Sequence, residues 1–582
     1  MKLFRVKLHN FRGVLDAKID FQSYTLLVGP NNAGKSTFID AIRAFYEKDS
    51  FKFVEKRDFP LIPTTDKASW IEMTFELNDA EQASLKDEYQ VANQQLRVRK
   101  VFQADKNSDD KSEPNFIYAY EKNGELSKDS FYGAKNVQSG KFGDLIYIPA
   151  VSKVEDHTKL SGPSALRDLL NGLMARVVED GSAYKEFEAN VQAFEGKLLS
   201  EETNDGLSLN GFASEVNALL APWQTKFELR VPPPSSGNIV KQMVTWELHD
   251  SLHQQIQSID NYGSGFQRHF IYSMIRIGSQ YVPPKPSKKK TDFTPTLTLI
   301  LFEEPEAFLH PPQQDILARS LMNLAKQEHS QVVCTTHSAN FVSRKADNIP
   351  AIVRVERAGG GISIFQFSAE AWVEIVNSNQ AFAEIVKKHP KINIHSDDLK
   401  AEMEAVKHFL WLNTDRAGLF FANHVLLVEG PTEVALINKL LDDGQISGIE
   451  GGLHVMDTLG KYNTHRFMSL LSHLGIKHTV LLDDDNQKNE HLDINKLVEA
   501  SRREQTFAIE WIKKDLEAFL DVPSAGKKHR KPQHLLYYYT KGKIDKAKLK
   551  KFCELVSACL PTAAAVRVKQ PPPQLSLPLG ES

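Results

Sequence analysis

Four short apolar runs stand out along the chain, and each predicts a strand buried on both faces. They are YTLLV at 24–28, LTLILF at 297–302, VLLV at 425–428 and TVLL at 479–482. Continuous rather than alternating hydrophobicity is typical of parallel strands that are covered by helices. Each run ends at glycine or acidic residues, and the carboxyl ends of parallel strands face a ligand crevice. The pattern predicts an α/β protein whose sites lie at these strand ends.

Two other patterns separate these runs. Residues 67–132 alternate between apolar and polar positions, with Asn, Asp and Gly at the turns between them. This alternation predicts an antiparallel β-lobe. Residues 157–220 instead repeat apolar positions at helical spacing and predict a helical insertion. An exposed amphipathic insertion serves either internal packing or dimerisation, and we favour dimerisation.

A glycine-rich loop joins the strand at 24–28 to a helical pattern. It reads GPNNAGKST at Gly29–Thr37, which has the spacing GxxxxGK[ST]. In such a loop the backbone N–H groups bind phosphates, Lys35 reaches the β- and γ-phosphates, and the Ser36 hydroxyl ligates Mg²⁺. The flanking strand and helix argue against a chance glycine loop. The nucleotide-binding residues predicted here are Asn32, which shapes the loop, Gly34, Lys35, Ser36 and Thr37.

Two adjacent carboxylates, Glu303 and Glu304, follow the strand at 297–302. One of them can hold Mg²⁺ through water, and the next can orient a water for attack on a γ-phosphate. His337 follows another apolar strand in QVVCTTHS. A lone histidine after a strand is often structural, but at the end of a strand of this sheet it can contact the γ-phosphate.

A second loop, NYGSGFQR at 261–268, opens a helical run and supplies Ser264, Gly265 and Gln267. A Gly-Ser-Gly turn at a helix start can bind an anion. A plain helix cap is the alternative.

Acidic residues also follow the two later apolar runs. Glu429 ends the run at 425–428, and Glu433 lies about one helical turn further on. The run at 479–482 ends in three aspartates, of which Asp483 and Asp485 can face one site while Asp484 points away. Either group alone could be a solvated turn. Together, carboxylates from neighbouring parallel strands predict a site for hard divalent cations.

Composition narrows the class of protein. The 582 residues predict two or three domains, and the net charge of −3 requires any nucleic-acid site to be a local basic patch. The three cysteines form no CxxC pair, which disfavours structural zinc and a disulfide framework and suits a reducing cytoplasm. No apolar run reaches about 18 residues, so we expect no membrane segment.

The first set of motifs resembles an ABC-type ATPase of the SMC and RecF kind. Gly29–Thr37 is similar to Walker A, Ser264-Gly265 with Gln267 to the signature motif, Glu303 to Walker B, Glu304 to the catalytic glutamate and His337 to the switch histidine. The opening HNFRG is similar to the start of that group, which places Arg12 near the nucleotide. The signature differs from the usual LSGGQ-like form. In such ATPases two heads enclose two nucleotides, so the resemblance implies ATP, Mg²⁺ and a homodimer or higher homo-oligomer.

The second set resembles the TOPRIM fold, with a Glu after the first strand and DxD after a later one. An ABC head followed by TOPRIM resembles the OLD (overcoming lysogenization defect) family of nucleases, which includes the nuclease subunit of the Gabija anti-phage system. The resemblance implies Glu429, Glu433, Asp483 and Asp485 as metal ligands, with Glu517 as a further ligand or an exposed helix residue. It also implies a catalytic lysine, either Lys543 or Lys541.

The resemblance implies a DNA endonuclease that uses two metal ions (Mg²⁺, or Mn²⁺ or Ca²⁺) and is regulated by its ATPase, in anti-phage defence or DNA processing. A partner helicase is possible, and ATP could activate or restrain cleavage. Lys527, Lys528, Arg530 and Lys531, near Tyr537–Tyr539, form either a DNA-backbone surface or a solvated loop. The alternative function is an ATP-switched DNA-binding, assembly or repair protein whose TOPRIM domain binds but does not cut.

The fold expected is therefore α/β, with an ABC-type head (mixed sheet with P-loop, β-lobe and helical insertion) followed by a TOPRIM domain with a central parallel sheet. The predicted boundaries are 1–395 for the ATPase domain, 396–420 for a helical linker, 421–560 for the TOPRIM domain and 561–582 for a Pro-rich, disordered tail.

Overall fold

The computed structural model describes most of the chain in two compact units, one formed by residues 1–150 and 287–582 and the other by residues 151–286. The described residues are 1–47, 51–105, 112–133, 142–150, 170, 182–232, 235, 238–239, 242, 244–250, 255–281, 293, 295, 297–343, 346–389, 412–447, 449, 452–485 and 489–561. Most of the predicted linker (396–411) and nearly all of the predicted tail (562–582) lie outside them.

The strands follow one another along the chain as eighteen described elements. They are β1 (Lys2–Phe11), β2 (Val14–Asp20), β3 (Tyr24–Val28), β4 (Ser69–Glu76), β5 (Gln95–Gln103), β6 (Ile117–Tyr120), β7 (Leu126–Ser130), β8 (Asp144–Ile148), β9 (Leu248–Asp250), β10 (Gln255–Gln257), β11 (Thr298–Glu303), β12 (Ser330–Thr335), β13 (Ile352–Ala358), β14 (Gly361–Gln366), β15 (His424–Val428), β16 (Leu453–Asp457), β17 (His478–Asp483) and β18 (Thr506–Ile512).

The described α-helices lie between and around these strands. They are α1 (Lys35–Tyr46), α2 (Glu55–Asp58), α3 (Asp79–Ser84), α4 (Ser182–Ser200), α5 (Leu209–Leu220), α6 (Ser264–Tyr281), α7 (Pro311–Leu324), α8 (Ala339–Ser343), α9 (Ala369–Lys388), α10 (Pro431–Asp442), α11 (Thr464–His473), α12 (Asn489–Ala500), α13 (Leu516–Leu520), α14 (Lys531–Thr540) and α15 (Lys546–Ala558).

The N-terminal part of the chain forms two six-stranded sheets. The first has the order β2-β1-β4-β5-β6-β7 and is antiparallel throughout, so the predicted β-lobe is confirmed and includes the first two strands. The second has the order β14-β13-β3-β12-β11-β8 and is parallel except at its β14 edge. Strands β3 and β11 enter this sheet as continuously buried runs, as predicted.

The C-terminal part contains a four-stranded parallel sheet with the order β16-β15-β17-β18. Chain order and spatial order differ here, because β16 lies on one side of β15 and β17 lies on the other. Such a point of reversal opens a crevice at the carboxyl ends of the two central strands. Leu426, Val428, Leu436, Leu481 and Phe552 belong to the core around this sheet. The predicted central parallel sheet is confirmed.

The second unit contains α4, α5, the short β9–β10 hairpin and α6. Helices α4 and α5 lie within the predicted insertion, and the rest of that insertion up to residue 181, apart from residue 170, lies outside the described residues. Neither helix has a buried residue, and Phe194, Phe212 and Leu219 are 56%, 55% and 74% exposed. Their role in dimerisation stays a prediction. In the part of the chain that the structure describes, no helix combines the length and apolar character needed to cross a membrane.

Candidate functional site

The phosphate loop follows β3 and leads into α1, as the glycine spacing predicts. Gly34 precedes α1 with φ 103°, and Gly29 has φ 143°; this left-handed region favours glycine. A β-carbon at Gly29 would lie 2.2 Å from the carbonyl oxygen of Val355, so the sheet also excludes a side chain there. Asn32 has φ 60° and shapes the loop. Ser36 is exposed at the start of α1, where a nucleotide-bound metal could reach its hydroxyl.

Lys35 folds back over this loop. Its ammonium donates to the carbonyl oxygens of Gly29 and Pro30, both at 2.9 Å. Burial lowers the pKa of Lys35 to about 8, while Glu304 and Glu306 act in the opposite direction. The lysine therefore occupies a position in which phosphate oxygens could replace the two carbonyl acceptors.

The paired carboxylates lie at the end of β11, beside this lysine. Glu303 is buried and accepts a hydrogen bond from the Tyr147 hydroxyl at 2.7 Å. Glu304 has φ 44°, and its backbone N–H donates to the Thr335 carbonyl at 3.0 Å. This left-handed turn directs the two adjacent side chains differently. His337 Nε2 lies 3.4 Å from Glu304 Oε1, so the predicted catalytic glutamate and switch histidine are in contact.

A third carboxylate of this strand end, Glu306, escaped the sequence analysis. It accepts a hydrogen bond from the backbone N–H of His337 at 2.6 Å and is 9% exposed. Burial raises its pKa, and repulsion by Glu304 contributes. Glu306 thus fixes the histidine loop to the acidic turn. Glu306 is part of the motif FEEPE, but no local pattern could predict its partner, which lies 31 residues further along the chain.

Arg12 lies in the turn between β1 and β2, with φ 52°. Its guanidinium donates to Asp58 at 3.0 Å and to Asp40 of α1 at 2.8 Å. These ion pairs tie the β1–β2 turn to the helix that follows the phosphate loop. A direct contact of Arg12 with nucleotide stays a prediction.

The predicted signature residues lie in the second unit. Helix α6 begins at Ser264, as the Gly-Ser-Gly turn indicated. Gln267 donates from its side-chain amide to the carbonyls of Ile259 at 3.1 Å and Tyr262 at 2.9 Å, so it stabilises the preceding turn. A nucleotide contact of Ser264, Gly265 and Gln267 stays a prediction.

The second acidic centre lies where the C-terminal sheet reverses direction. Glu429 directly follows β15, Asp483 ends the neighbouring β17, and Glu433 lies in the first turn of α10. Burial raises the pKa of Asp483 to about 9, and repulsion by Glu433, Glu429 and Asp485 adds to the shift. Burial also raises the pKa of Glu433 to about 7 and the pKa of Glu429. The carboxylates predicted from two separate strand ends therefore share one electrostatic environment.

This environment suits a divalent cation. Glu429 Oε2 and Asp483 Oδ1 are buried and have no hydrogen-bond partner among the described residues. Buried, unpaired carboxylate oxygens are costly, and a hard cation is the partner that such oxygens prefer. Across the described ranges, no group of three His, Cys, Asp or Glu side chains is already drawn together around one ion position. The chemistry of the two unpartnered oxygens fits a divalent cation, and the role of these residues as metal ligands stays a prediction.

Asp484 and Asp485 diverge, as the alternation predicts. Asp484 Oδ1 accepts from the Lys514 backbone N–H at 2.8 Å, on the side of β18. Asp485 has φ 43°, and its Oδ2 lies 3.3 Å from the ammonium of Lys461 and 3.6 Å from His491 Nδ1. Lys461 follows β16 in the turn Lys461–Asn463, and the sequence analysis missed it. Local sequence carried no signal for it, because β16 is an edge strand whose pairing with β15 brings Lys461 to the acids.

Glu517 is 8% exposed, which excludes the exposed-helix alternative for this residue. It lies on α13, and its Oε1 is 2.9 Å from the ammonium of Lys531. The Lys543 ammonium lies 5.0 Å from the centroid of the Tyr537 ring, and Lys541 caps the C-terminus of α14. The lysines that act electrostatically on Glu429 are Lys461, Lys531 and Lys528. The catalytic role of Lys543 or Lys541 stays a prediction.

One hairpin, β13–β14, packs against the phosphate loop with one of its faces. The Val355 carbonyl lies against Gly29, and the Ile362 side chain lies where a β-carbon of Gly34 would be, at 2.3 Å. Val353 and Val355 belong to the same core as α1. This face of the hairpin therefore touches both glycines that shape the loop.

The opposite face of the same hairpin contacts the segment between α11 and β17. Arg354 is 1% exposed, and its guanidinium donates to the carbonyls of Leu474 at 3.1 Å and Gly475 at 3.2 Å. Gly475 has φ 65°, and a β-carbon there would lie 2.4 Å from the Phe365 ring. These contacts lie between α11 and β17, three residues before the strand that carries Asp483.

The chain is similar to known proteins along most of its length. The model of the AAA ATPase domain family matches residues 1–342, and the model of the overcoming lysogenization defect protein-like TOPRIM domain matches residues 420–485. The Old nuclease of Escherichia phage P2 is 25% identical over 514 residues, which cover 85% of this chain and 80% of that protein. Endonuclease GajA of Bacillus cereus strain VD045 is 23% identical over 510 residues, which cover 83% of this chain and 75% of that protein.

Among solved structures, the SMC head domain from Thermotoga maritima covers 63% of this chain at 15% sequence identity, with a TM-score of 0.30. The two family matches confirm the predicted combination of domains. The chain belongs to the AAA ATPase domain family, and it joins this domain to the TOPRIM domain of the overcoming lysogenization defect-like proteins.

Proposed function

We propose that this chain is an ATP-hydrolysing, divalent-metal-dependent DNA endonuclease whose ATPase domain controls its TOPRIM centre. The observation that carries the proposal is the pair of buried, unpartnered oxygens on Glu429 and Asp483, at the reversal point of a parallel sheet. The names of the two relatives, Old nuclease and endonuclease GajA, support cleavage as the activity.

In the ATPase centre, the phosphate loop and Lys35 bind the nucleotide phosphates. Ser36 and Glu303 are the residues that would hold the nucleotide's Mg²⁺. Glu304 orients the attacking water, and His337, 3.4 Å from Glu304, contacts the terminal phosphate. Glu306 holds the backbone of His337 in place, so the water-orienting pair is kept rigid through a buried hydrogen bond.

In the TOPRIM centre, Glu429, Glu433, Asp483, Asp485 and Glu517 are the proposed metal-holding residues. Bound divalent ions (Mg²⁺, with Mn²⁺ or Ca²⁺ as alternatives) would activate the attacking water and stabilise the leaving oxygen of a phosphodiester. Lys543, or Lys541 as the alternative, neutralises charge or moves a proton at the scissile phosphate. The nearby Tyr537–Tyr539 and the cations Lys527, Lys528 and Arg530 offer a surface for the DNA backbone.

The oligomer that we propose is a homodimer or a higher homo-oligomer. The exposed apolar residues of α4 and α5, which include Phe194, Phe212 and Leu219, offer the surface for it. A partner helicase and a role in anti-phage defence follow from the family resemblance alone.

Metal-dependent cleavage of supercoiled plasmid tests the nuclease. We expect nicking in Mg²⁺ or Mn²⁺ and none in excess EDTA. Asp483→Ala is expected to abolish nicking while ATP hydrolysis stays at the wild-type rate. Asp442→Ala, which removes a carboxylate at the C-terminal end of α10, is the matched control and should leave both activities intact. Nicking by pure Asp483→Ala protein would contradict the assignment. DNA binding without cleavage by the wild type would favour the alternative switch function.

The direction of control is measured on the same substrate. Nicking without nucleotide, with ATP and with a non-hydrolysable analogue separates activation by ATP from restraint by ATP. Equal nicking in the three conditions would exclude control by the ATPase domain.

A further inference from the structure

The five proposed metal-holding carboxylates of the TOPRIM centre differ in their partners. Glu429 and Asp483 each keep a buried oxygen without a hydrogen-bond partner among the described residues. Glu433 accepts from the backbone N–H of Gly430 at 3.0 Å. Asp485 and Glu517 each lie against a lysine: Lys461 is 3.3 Å from Asp485 Oδ2, and Lys531 is 2.9 Å from Glu517 Oε1. Two of the acids thus pair with lysines already, while Glu429 and Asp483 do not.

Lys461 is held in this position by the fold. Gly460, with φ 100°, donates its backbone N–H to the Glu429 carbonyl at 2.9 Å, which fastens the loop to the end of β15. The Lys461 side chain is only 2% exposed and lies over the Trp511 ring at 5.9 Å. A buried ammonium is costly unless it is paired, so its place beside the acids requires a reason.

A second buried lysine shows what a purely structural role looks like. The Lys100 ammonium donates to the carbonyls of Ala44 and Phe45 and to Glu47, at 3.1, 2.9 and 2.9 Å, which satisfies all three of its protons. The Lys461 ammonium has one acceptor among the described residues, at 3.3 Å. Within the described part of the chain Lys461 thus has fewer acceptors than Lys100, and the negative field of the carboxylates explains its position.

We propose that Lys461 is a positioning residue that acts as a built-in counter-cation: it occupies Asp485 until a second divalent ion displaces it. This role rests on the proposed nuclease centre. The first ion binds at the unpaired oxygens of Glu429 and Asp483, and the second must compete with Lys461 for Asp485. The two ions therefore bind with unequal affinity.

The net charge of the TOPRIM centre indicates why the two ions would bind one after the other. When ionised, the five proposed ligands exceed the two contacting lysines by three negative charges. With Lys461 in place, one divalent ion leaves one negative charge, and exchange of Lys461 for a second ion brings the centre to zero. The phosphodiester of bound DNA adds a negative charge beside the second ion, so this ion binds best when DNA is present.

The test uses the full chain freed of metal, without DNA, titrated with Mn²⁺ by calorimetry and followed in parallel by thermal melting. Lys461→Met removes the charge at similar volume, and Lys461→Gln is a second neutral variant. Lys461→Arg keeps the charge. Lys439→Met, which removes an exposed lysine that pairs with Asp443, is the matched control.

We expect wild type, Lys461→Arg and Lys439→Met to bind a first Mn²⁺ tightly and a second weakly. In both neutral variants the half-saturating concentration for the second ion should fall about tenfold, since a nearby positive charge is gone. Their metal-free melting temperature should fall, and the rise on adding Mn²⁺ should be larger. Neutral variants that match the two-step wild-type titration would overturn the role of Lys461 alone. A wild type that binds no Mn²⁺ would overturn the metal centre and this role with it.

Discussion

At the scale of single residues, the two acidic centres differ in how their charge is compensated. In the ATPase centre Glu303, Glu304 and Glu306 each have a protein partner, namely Tyr147, His337 or the His337 backbone. Among the described residues, the ATPase centre keeps one buried carboxylate oxygen without a hydrogen-bond partner, Glu306 Oε2, whereas the TOPRIM centre keeps one at each of two neighbouring strand ends, Glu429 Oε2 and Asp483 Oδ1. The second centre therefore has the larger unmet need for a cation.

The contact between Glu304 and His337 gives a prediction about the ATPase. Glu304→Gln removes the carboxylate that we propose orients the attacking water, so ATP hydrolysis should fall about 10²–10⁴-fold while nucleotide binding is kept. Glu306→Gln is the matched control, because an amide oxygen can still accept from the His337 backbone; its loss should stay below about tenfold. Phosphate release and binding of a fluorescent nucleotide measure the two effects. A larger loss in Glu306→Gln than in Glu304→Gln would reverse the two assignments.

Two buried histidines predict how stability depends on pH. His424 and His478 begin β15 and β17 and bond to Thr479 and Thr506, both at 2.9 Å. Burial lowers their pKa values to about 3 and about 4. In an unfolded chain their pKa is about 6.5, so these two residues bind more protons in the unfolded state between these values, and their contribution to folded-state stability falls as pH falls below 6.5. The raised pKa values of Glu433 and Asp483 act in the opposite direction, so the contribution of the histidines is measured as a difference between variant and wild type.

The loss should approach about 1.4 kcal/mol per pH unit for each histidine. Melting temperatures between pH 7 and pH 4.5 measure it. The melting temperature of His478→Gln should rise relative to that of the wild type as pH falls, and the exposed His249→Gln should follow the wild-type curve. A His478→Gln curve parallel to that of the wild type would contradict the assignment to this histidine.

At the scale of elements, the β13–β14 hairpin is one packed connection between the two centres, beside the contact of the His337 ring with Phe421. Alternate residues of its strands face opposite sides, so Ile362 reaches the phosphate loop while Arg354 and Phe365 reach the segment before β17. A change in the phosphate loop therefore has a short, packed route to the strand that carries Asp483. The Arg354 donors also lie at the C-terminal end of α11, where a positive charge is favourable.

Loss of Arg354 should uncouple the two activities. Arg354→Ala leaves the carbonyls of Leu474 and Gly475 without this donor, which costs about 1–3 kcal/mol of stability. We expect ATP hydrolysis within about twofold of wild type, whereas the ratio of nicking with and without nucleotide should approach one. Arg357→Ala, an exposed arginine on the same strand, is the control and keeps the wild-type ratio. An unchanged ratio in Arg354→Ala would exclude this hairpin as the route.

At the scale of the whole molecule, local patterns predicted the elements and their order. Continuous apolar runs identified β3, β11, β15 and β17, and the residues that follow each run are those of the two centres. Local patterns could not predict contacts between residues that lie far apart in the sequence. Arg354 and Gly475 are 121 residues apart, and neither residue type signals such a partner. Lys461 was missed for the same reason, because only the pairing of β16 with β15 brings it to the acids.

Anomalous diffraction from crystals soaked in Mn²⁺ would locate a bound cation directly. We expect a strong peak within coordination distance of both Glu429 Oε2 and Asp483 Oδ1, and its loss in Asp483→Ala crystals. Mn²⁺ bound only at the phosphate loop, with these two oxygens unchanged, would contradict the account of the TOPRIM centre.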